Sequence, residues 1–174
     1  PNLFWVTTAL AYARTSGDTS WLKGYMPKLR HAAGFLHAML DWGGGSSSSS
    51  SSFKGPLLFV PGSLFIDVFI RNNYTTDSNA MYVGFLRDFA EAEEAVGNAT
   101  GAADLRSLAD GVSDAVSRLL WSGSYDSAVP GADHFITQLN RAPDGGGVAS
   151  AGDTESGAIR DFVDYDANLI VSVS

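Results

Sequence analysis

The chain contains no cysteine among its 174 residues. Disulfides, thiolate metal sites and a cysteine nucleophile are therefore excluded. Basic residues are scarce: 11 Lys and Arg stand against 19 Asp and Glu, for a formal net charge of −8. Such a balance argues against a nucleic-acid partner, because neutralising phosphates takes clustered Lys and Arg. Long apolar runs are missing, so no membrane span is expected. Histidine is sparse. His31 and His37 lie six apart on one expected helix and do not share a face, which argues against metal ligation. His134 stands beside Asp133 with no serine motif, so a Ser-His-Asp triad is unsupported. No cofactor and no metal site is expected.

What is present is a globular composition, 45% hydrophobic. Two glycosylation sequons occur, Asn73-Tyr74-Thr75 and Asn98-Ala99-Thr100. They are compatible with secretion, although such triplets also arise by chance. The chain opens on Pro1-Asn2-Leu3 without a signal peptide and closes within an apolar run, Leu169-Ile170-Val171-Ser172-Val173-Ser174. The expectation is a fragment of a larger protein.

Apolar periodicity predicts a helix over 3–15 and a second after Thr19 or Ser20, whose hydroxyl can cap it. The buried face of the second is Trp21, Leu22, Tyr25, Leu29, Ala33, Leu36 and Leu40. Pro27 implies a kink in it, or a helix that begins near that proline. Residues 43–55 form a Gly/Ser-rich low-complexity loop with little apolar surface to bury. Residues 56–71 read as extended chain or a short strand. Asp77 is expected to cap a helix over 78–96, which Gly97 ends. The next helix covers about 102–121, with Leu105, Leu108, Val112, Val116, Leu119 and Leu120 on one face. A short join makes these two antiparallel neighbours. Within the long loop 122–160, His134 to Leu139 alternates like a strand. Another helix starts near 165.

Carboxylates gather at element edges. Asp67 sits inside Leu64-Phe65-Ile66-Asp67-Val68-Phe69-Ile70, where burial without a partner is costly. It is expected to pair with Arg71 or to face a wet cleft. Asp77 opens a helix and can cap it or contact a substrate. Asn79, on the first turn, can hydrogen-bond a hydroxyl of a sugar. Asp164 and Asp166 flank Tyr165, and neighbouring carboxylates raise one another's pKa, which suits acid–base work.

The order of these pieces resembles the six-hairpin glycosidases. Trp21 to Asp41, with Tyr25-Met26-Pro27-Lys28-Leu29-Arg30, is similar to a helix common in that superfamily. Phe65-Ile66-Asp67, then Asn79-Ala80-Met81-Tyr82, Leu86-Arg87-Asp88 and Glu94-Ala95-Val96-Gly97, resembles its next hairpin. Leu105, Leu108-Ala109 and Leu119-Leu120-Trp121 look like the partner helix. The resemblance is nearest to the alpha-L-rhamnosidase-like group, with the glucosidase I and trehalase group next.

The resemblance implies an all-α chain, part of an (α/α)6 barrel holding about two and a half helical hairpins with long loops. The rest of the barrel would then be its partner. It implies a glycoside hydrolase with a carbohydrate substrate and two catalytic carboxyls, roughly 6.5–9.5 Å apart in the inverting arrangement. No match to the rhamnosidase-like Glu-rich motif is found. In the glucosidase I and trehalase group the acid is an Asp in the segment corresponding to Asp67, and the base lies later than Ser174. Asp67 is therefore the catalytic candidate, with Asp77, Asn79, Asp164 and Asp166 as substrate-binding candidates. Loops entering successive inner helices share one end of such a barrel, so these acids should meet in one cavity. Two other readings compete. A non-catalytic helical carbohydrate- or protein-binding module would show fixed-length repeats, and none are found. A polysaccharide lyase would act on an acidic sugar, which the charge of −8 disfavours.

Overall fold

The computed structural model describes residues 2–42, 55–60, 73–122, 134–140 and 159–160. Most of them are helical. Helix α1 (Asn2–Ser16) ends at Gly17, whose φ of 68° is left-handed. The Gly17 N–H reaches back to the Ala13 carbonyl at 3.0 Å, a stop that suits a residue without Cβ. Asp18 then caps α2 (Thr19–His37), accepting from the Trp21 N–H at 2.8 Å. The cap is one residue ahead of the expected Thr19, because a carboxylate is as good an N-cap as a hydroxyl and comes first.

The helix α2 runs unbroken through Pro27. Position 27 is exposed, so water can take the bond that the missing N–H forgoes. The alternative of a helix beginning near 27 is thereby corrected. Leu22, Met26, Leu29, Ala33 and Leu36 are buried on its inner face. Trp21 and Tyr25 are half-buried instead. Their rings stack at 4.6 Å, and Tyr12 meets Trp21 edge-on at 4.8 Å, tying α1 to α2 at the surface.

The helices α3 (Thr76–Ala95) and α4 (Ala99–Leu119) form the second hairpin. Their join is Val96-Gly97-Asn98, shorter than expected. Asn98 caps α4 by accepting from the Gly101 N–H at 3.2 Å, which starts the helix three residues early. The buried face of α4 is Ala102, Leu105, Ala109, Val112, Ala115 and Val116. Leu108 and Leu119 are only half-buried. Leu105, Val112, Val116 and Leu120 of the expected face are buried as read, and Ala102, Ala109 and Ala115 join them, small residues that let two helix backbones approach. Tyr82, Phe85 and Phe89 stack along α3 at 5.7 Å each and fill the core. Near the end of α3, buried Glu93 takes two bonds of 2.7 Å from Arg30 and one of 2.8 Å from the Asn98 amide. This clamp joins α2, α3 and the α3–α4 turn. The Arg30 hydrogen bonds hold the Glu93 carboxyl below the usual carboxylate range.

Among the described residues, five two-residue strands add to the helices. β1 (Leu40–Asp41) pairs antiparallel with β2 (Leu57–Leu58). β3 (Tyr74–Thr75), β4 (Gln138–Leu139) and β5 (Ile159–Arg160) form an antiparallel sheet in that order. The register sets Tyr74 against Leu139 and Gln138 against Arg160. The expected strand from His134 shrinks to Gln138–Leu139, while Phe135 makes a lone bridge to Trp121. The low-complexity loop 43–55 lies outside the described residues except for Gly55.

Candidate functional site

The polar end of α3 is the densest buried polar region among the described residues. Thr75, Thr76, Asp77, Ser78 and Asn79 are all buried, as are Thr137 and Gln138 facing them. Polar side chains buried together must find partners, and these do. The Thr76 N–H donates to the Thr137 carbonyl at 3.2 Å, and its hydroxyl donates to the Ile136 carbonyl. The Thr75 hydroxyl donates to the Ser78 hydroxyl at 2.7 Å. The Tyr74 hydroxyl donates to Asp41 on β1 at 2.7 Å. The Asn73 amide donates to the Asn140 side-chain oxygen at 3.2 Å. The helix start is thereby bound to β1 and the β4 segment at once.

Asp77 is 3% exposed. It lies inside the first turn of α3, not at its N-cap. Thr75 is the N-cap, in extended conformation with φ −97° and ψ 142°. The expected capping role of Asp77 is therefore corrected: β3 runs directly into the helix and starts it two residues early. One Asp77 carboxylate oxygen accepts from the Ser78 N–H at 2.7 Å and from the Ser78 hydroxyl at 3.3 Å. The positive end of the helix dipole favours a carboxylate there.

Asn79 is 0% exposed. Its side-chain oxygen accepts from the Leu58 N–H at 2.6 Å. Its amide nitrogen donates to the Leu58 carbonyl at 3.2 Å and to the Thr75 carbonyl at 2.8 Å. The carboxamide acts as a third strand beside β2. The expected sugar contact is thus replaced by a scaffold role. Asp67, Asp164 and Asp166, together with Arg71, lie outside the described residues. Of the five candidate residues, Asp77 and Asn79 are brought together within one helical turn.

A second pair was not read from the sequence. The Tyr82 hydroxyl bonds His37 Nδ1 between α3 and the end of α2. Burial lowers the His37 pKa and raises that of Tyr82 above its ordinary range. No local pattern joins residues 45 apart, so only packing could reveal the contact. A pH dependence follows. His37 binds its proton less well folded than unfolded, so its contribution is complete above its ordinary value of 6.5 and is lost as pH falls through the folded value. Glu93, whose pKa is also lowered, adds a separate loss below its ordinary 4.5. The urea midpoint is expected to fall between about pH 7 and 5, and His37→Gln to flatten that interval alone. An unchanged pH slope in His37→Gln would contradict this.

A cleft of about 250 Å³ opens at the other end of α3. Leu10, Leu22 and Ala92 line it, with Arg14 bridging Asp88 and Glu91 at 2.8 Å each. Asp88 lies eleven residues along α3 from Asp77, roughly 16 Å by helix rise. The cleft is therefore separate from the polar helix start. No group of three or more metal-ligating side chains occurs among the described residues. No described helix is long and apolar enough to cross a membrane.

No protein-family model, curated protein or solved structure matches this chain.

Proposed function

We propose that this chain is part of an (α/α)6 glycoside hydrolase in which carboxylates at the helix starts act on a sugar. The observation that carries the reading is the β3-β4-β5 sheet. It sets the start of α3, with Asp77, two strands from Arg160, the residue before Asp161-Phe162-Val163-Asp164-Tyr165-Asp166. Strands lie about 4.8 Å apart, so β3 and β5 are roughly 10 Å apart. β3 and β5 run parallel across β4, with Thr75 and Arg160 at the same end of the sheet, the end at which α3 begins, and this suits the placement of a sugar-binding cleft.

Two further features support the reading. The first half of α3 is buried on nearly every side, as an inner barrel helix would be. Phe4, Trp5 and Tyr12 on α1 and Phe35 on α2 are 45–57% exposed, which suits cover by a neighbouring hairpin.

In this scheme Asp67 is the general acid and protonates the leaving oxygen. A later carboxylate removes a proton from the water that attacks the anomeric carbon. Asp164 and Asp166 bind sugar hydroxyls, while buried Asp77 stays on Ser78 within the frame. Asn79, with its amide on Leu58 and Thr75, holds the frame. The test is turnover by the full-length protein across neutral glycosides, followed by NMR of the released sugar. The expected result is hydrolysis of at least one, with the anomer inverted. A folded full-length protein that releases sugar from none would overturn the proposal.

A further inference from the structure

The two glycosylation sequons occupy opposite environments. At Asn73-Tyr74-Thr75 the chain is locked. The Asn73 N–H and carbonyl both bond Val60, at 2.7 and 2.8 Å. Its amide donates to Asn140, its φ is 63°, and Tyr74 and Thr75 are 0% and 1% exposed. The Thr75 hydroxyl, which a glycosyl transferase must reach, faces Ser78. At Asn98-Ala99-Thr100 all three residues are exposed, at the tip of the α3–α4 turn.

The chemistry at Asn98 also tolerates a glycan. The Asn98 side-chain oxygen caps α4 through Gly101, and its amide nitrogen donates to Glu93. An N-linked glycan replaces one amide hydrogen. The oxygen still accepts, so the cap survives, and one N–H remains for Glu93. At Asn73 the same addition would put a bulky polar group into the half-buried seam between β3 and the Asn140 segment. Such a product would crowd the Asn73–Asn140 side-chain bond beside the buried Tyr74 and Thr75.

We propose that Asn98 is an N-glycan acceptor and that Asn73 is not one in the folded protein. The donor is a lipid pyrophosphate-linked oligosaccharide. The Asn98 amide nitrogen forms a bond to the anomeric carbon, the bond from that carbon to the pyrophosphate oxygen breaks, and the amide proton leaves to a base. The lipid pyrophosphate is the leaving group.

The test is secretion of the full-length protein from a eukaryotic cell behind an appended leader. Enzymatic removal of N-glycans in heavy-oxygen water then marks each former site as a labelled aspartate. Label at position 98 alone is expected. The variant Thr100→Ala destroys the sequon while leaving the Asn98 cap in place, and should remove the glycan mass from a protein that still melts as the wild type does. Label at position 73 in the folded secreted protein would overturn the proposal. So would an unlabelled position 98, or a Thr100→Ala variant that keeps its glycan.

Discussion

In the full-length protein, Asp67→Asn is expected to slow hydrolysis of a glycoside with a poor leaving group by ~10²–10⁴, the range for general acid catalysis. The substitution keeps the shape and removes the titratable carboxyl. The loss should fall in kcat, because the proton is needed only as the bond breaks. A glycoside whose leaving group departs without protonation should be hydrolysed with much smaller loss. That contrast separates proton donation from sugar positioning. If Asp67 only positions sugar, the effect is smaller and lies mainly in KM. Equal losses on both substrates would remove Asp67 from the acid role while leaving the rest of the proposal to stand.

The second large effect concerns the frame. Asn79→Leu is close in shape but strips both hydrogen-bond partners from the Leu58 backbone. Leu58 is 1% exposed, so water does not reach those groups readily. Each buried unsatisfied group costs about 1–3 kcal/mol, so the two together predict a loss of ~2–6 kcal/mol in urea unfolding. The Thr75 carbonyl matters less, since it also stands at the start of the helical ladder. Asn79→Asp keeps the acceptor for the Leu58 N–H but loses both donors and buries a charge. It should be no better tolerated. A loss under about 0.5 kcal/mol in Asn79→Leu, typical of surface sites, would show that the carboxamide does not hold β2.

Helices were legible wherever periodicity and punctuation agreed. Gly17 and Gly97 both carry positive φ and end their helices as read. Boundaries moved where several residues could cap. Asp18, Thr75 and Asn98 won over Thr19, Asp77 and the residues near 102. The reason is that a cap is chosen by where the preceding chain comes from. β3 delivers extended backbone at Thr75, and nothing local to 75–79 states that β3 exists. The same limit hid the role of Asn79. Its type and first-turn position are equally suited to a sugar and to a peptide group. Only the arrival of Leu58, twenty-one residues earlier, decides between them. The apolar face of α4 was legible at Leu105, Val112, Val116 and Leu120, which are buried, and less so at half-buried Leu108 and Leu119. Amphipathicity reports which side is apolar, whereas close packing follows the smallest residues, here Ala102, Ala109 and Ala115.

The most direct test of the account is the separation of the Asp67 and Asp164 carboxyl groups in an experimental structure of the full-length protein. The account predicts that both face one cavity within ~15 Å, a limit set by the ~10 Å spacing of packed helices. A larger separation, or Asp67 sealed in a salt bridge with Arg71, would contradict it.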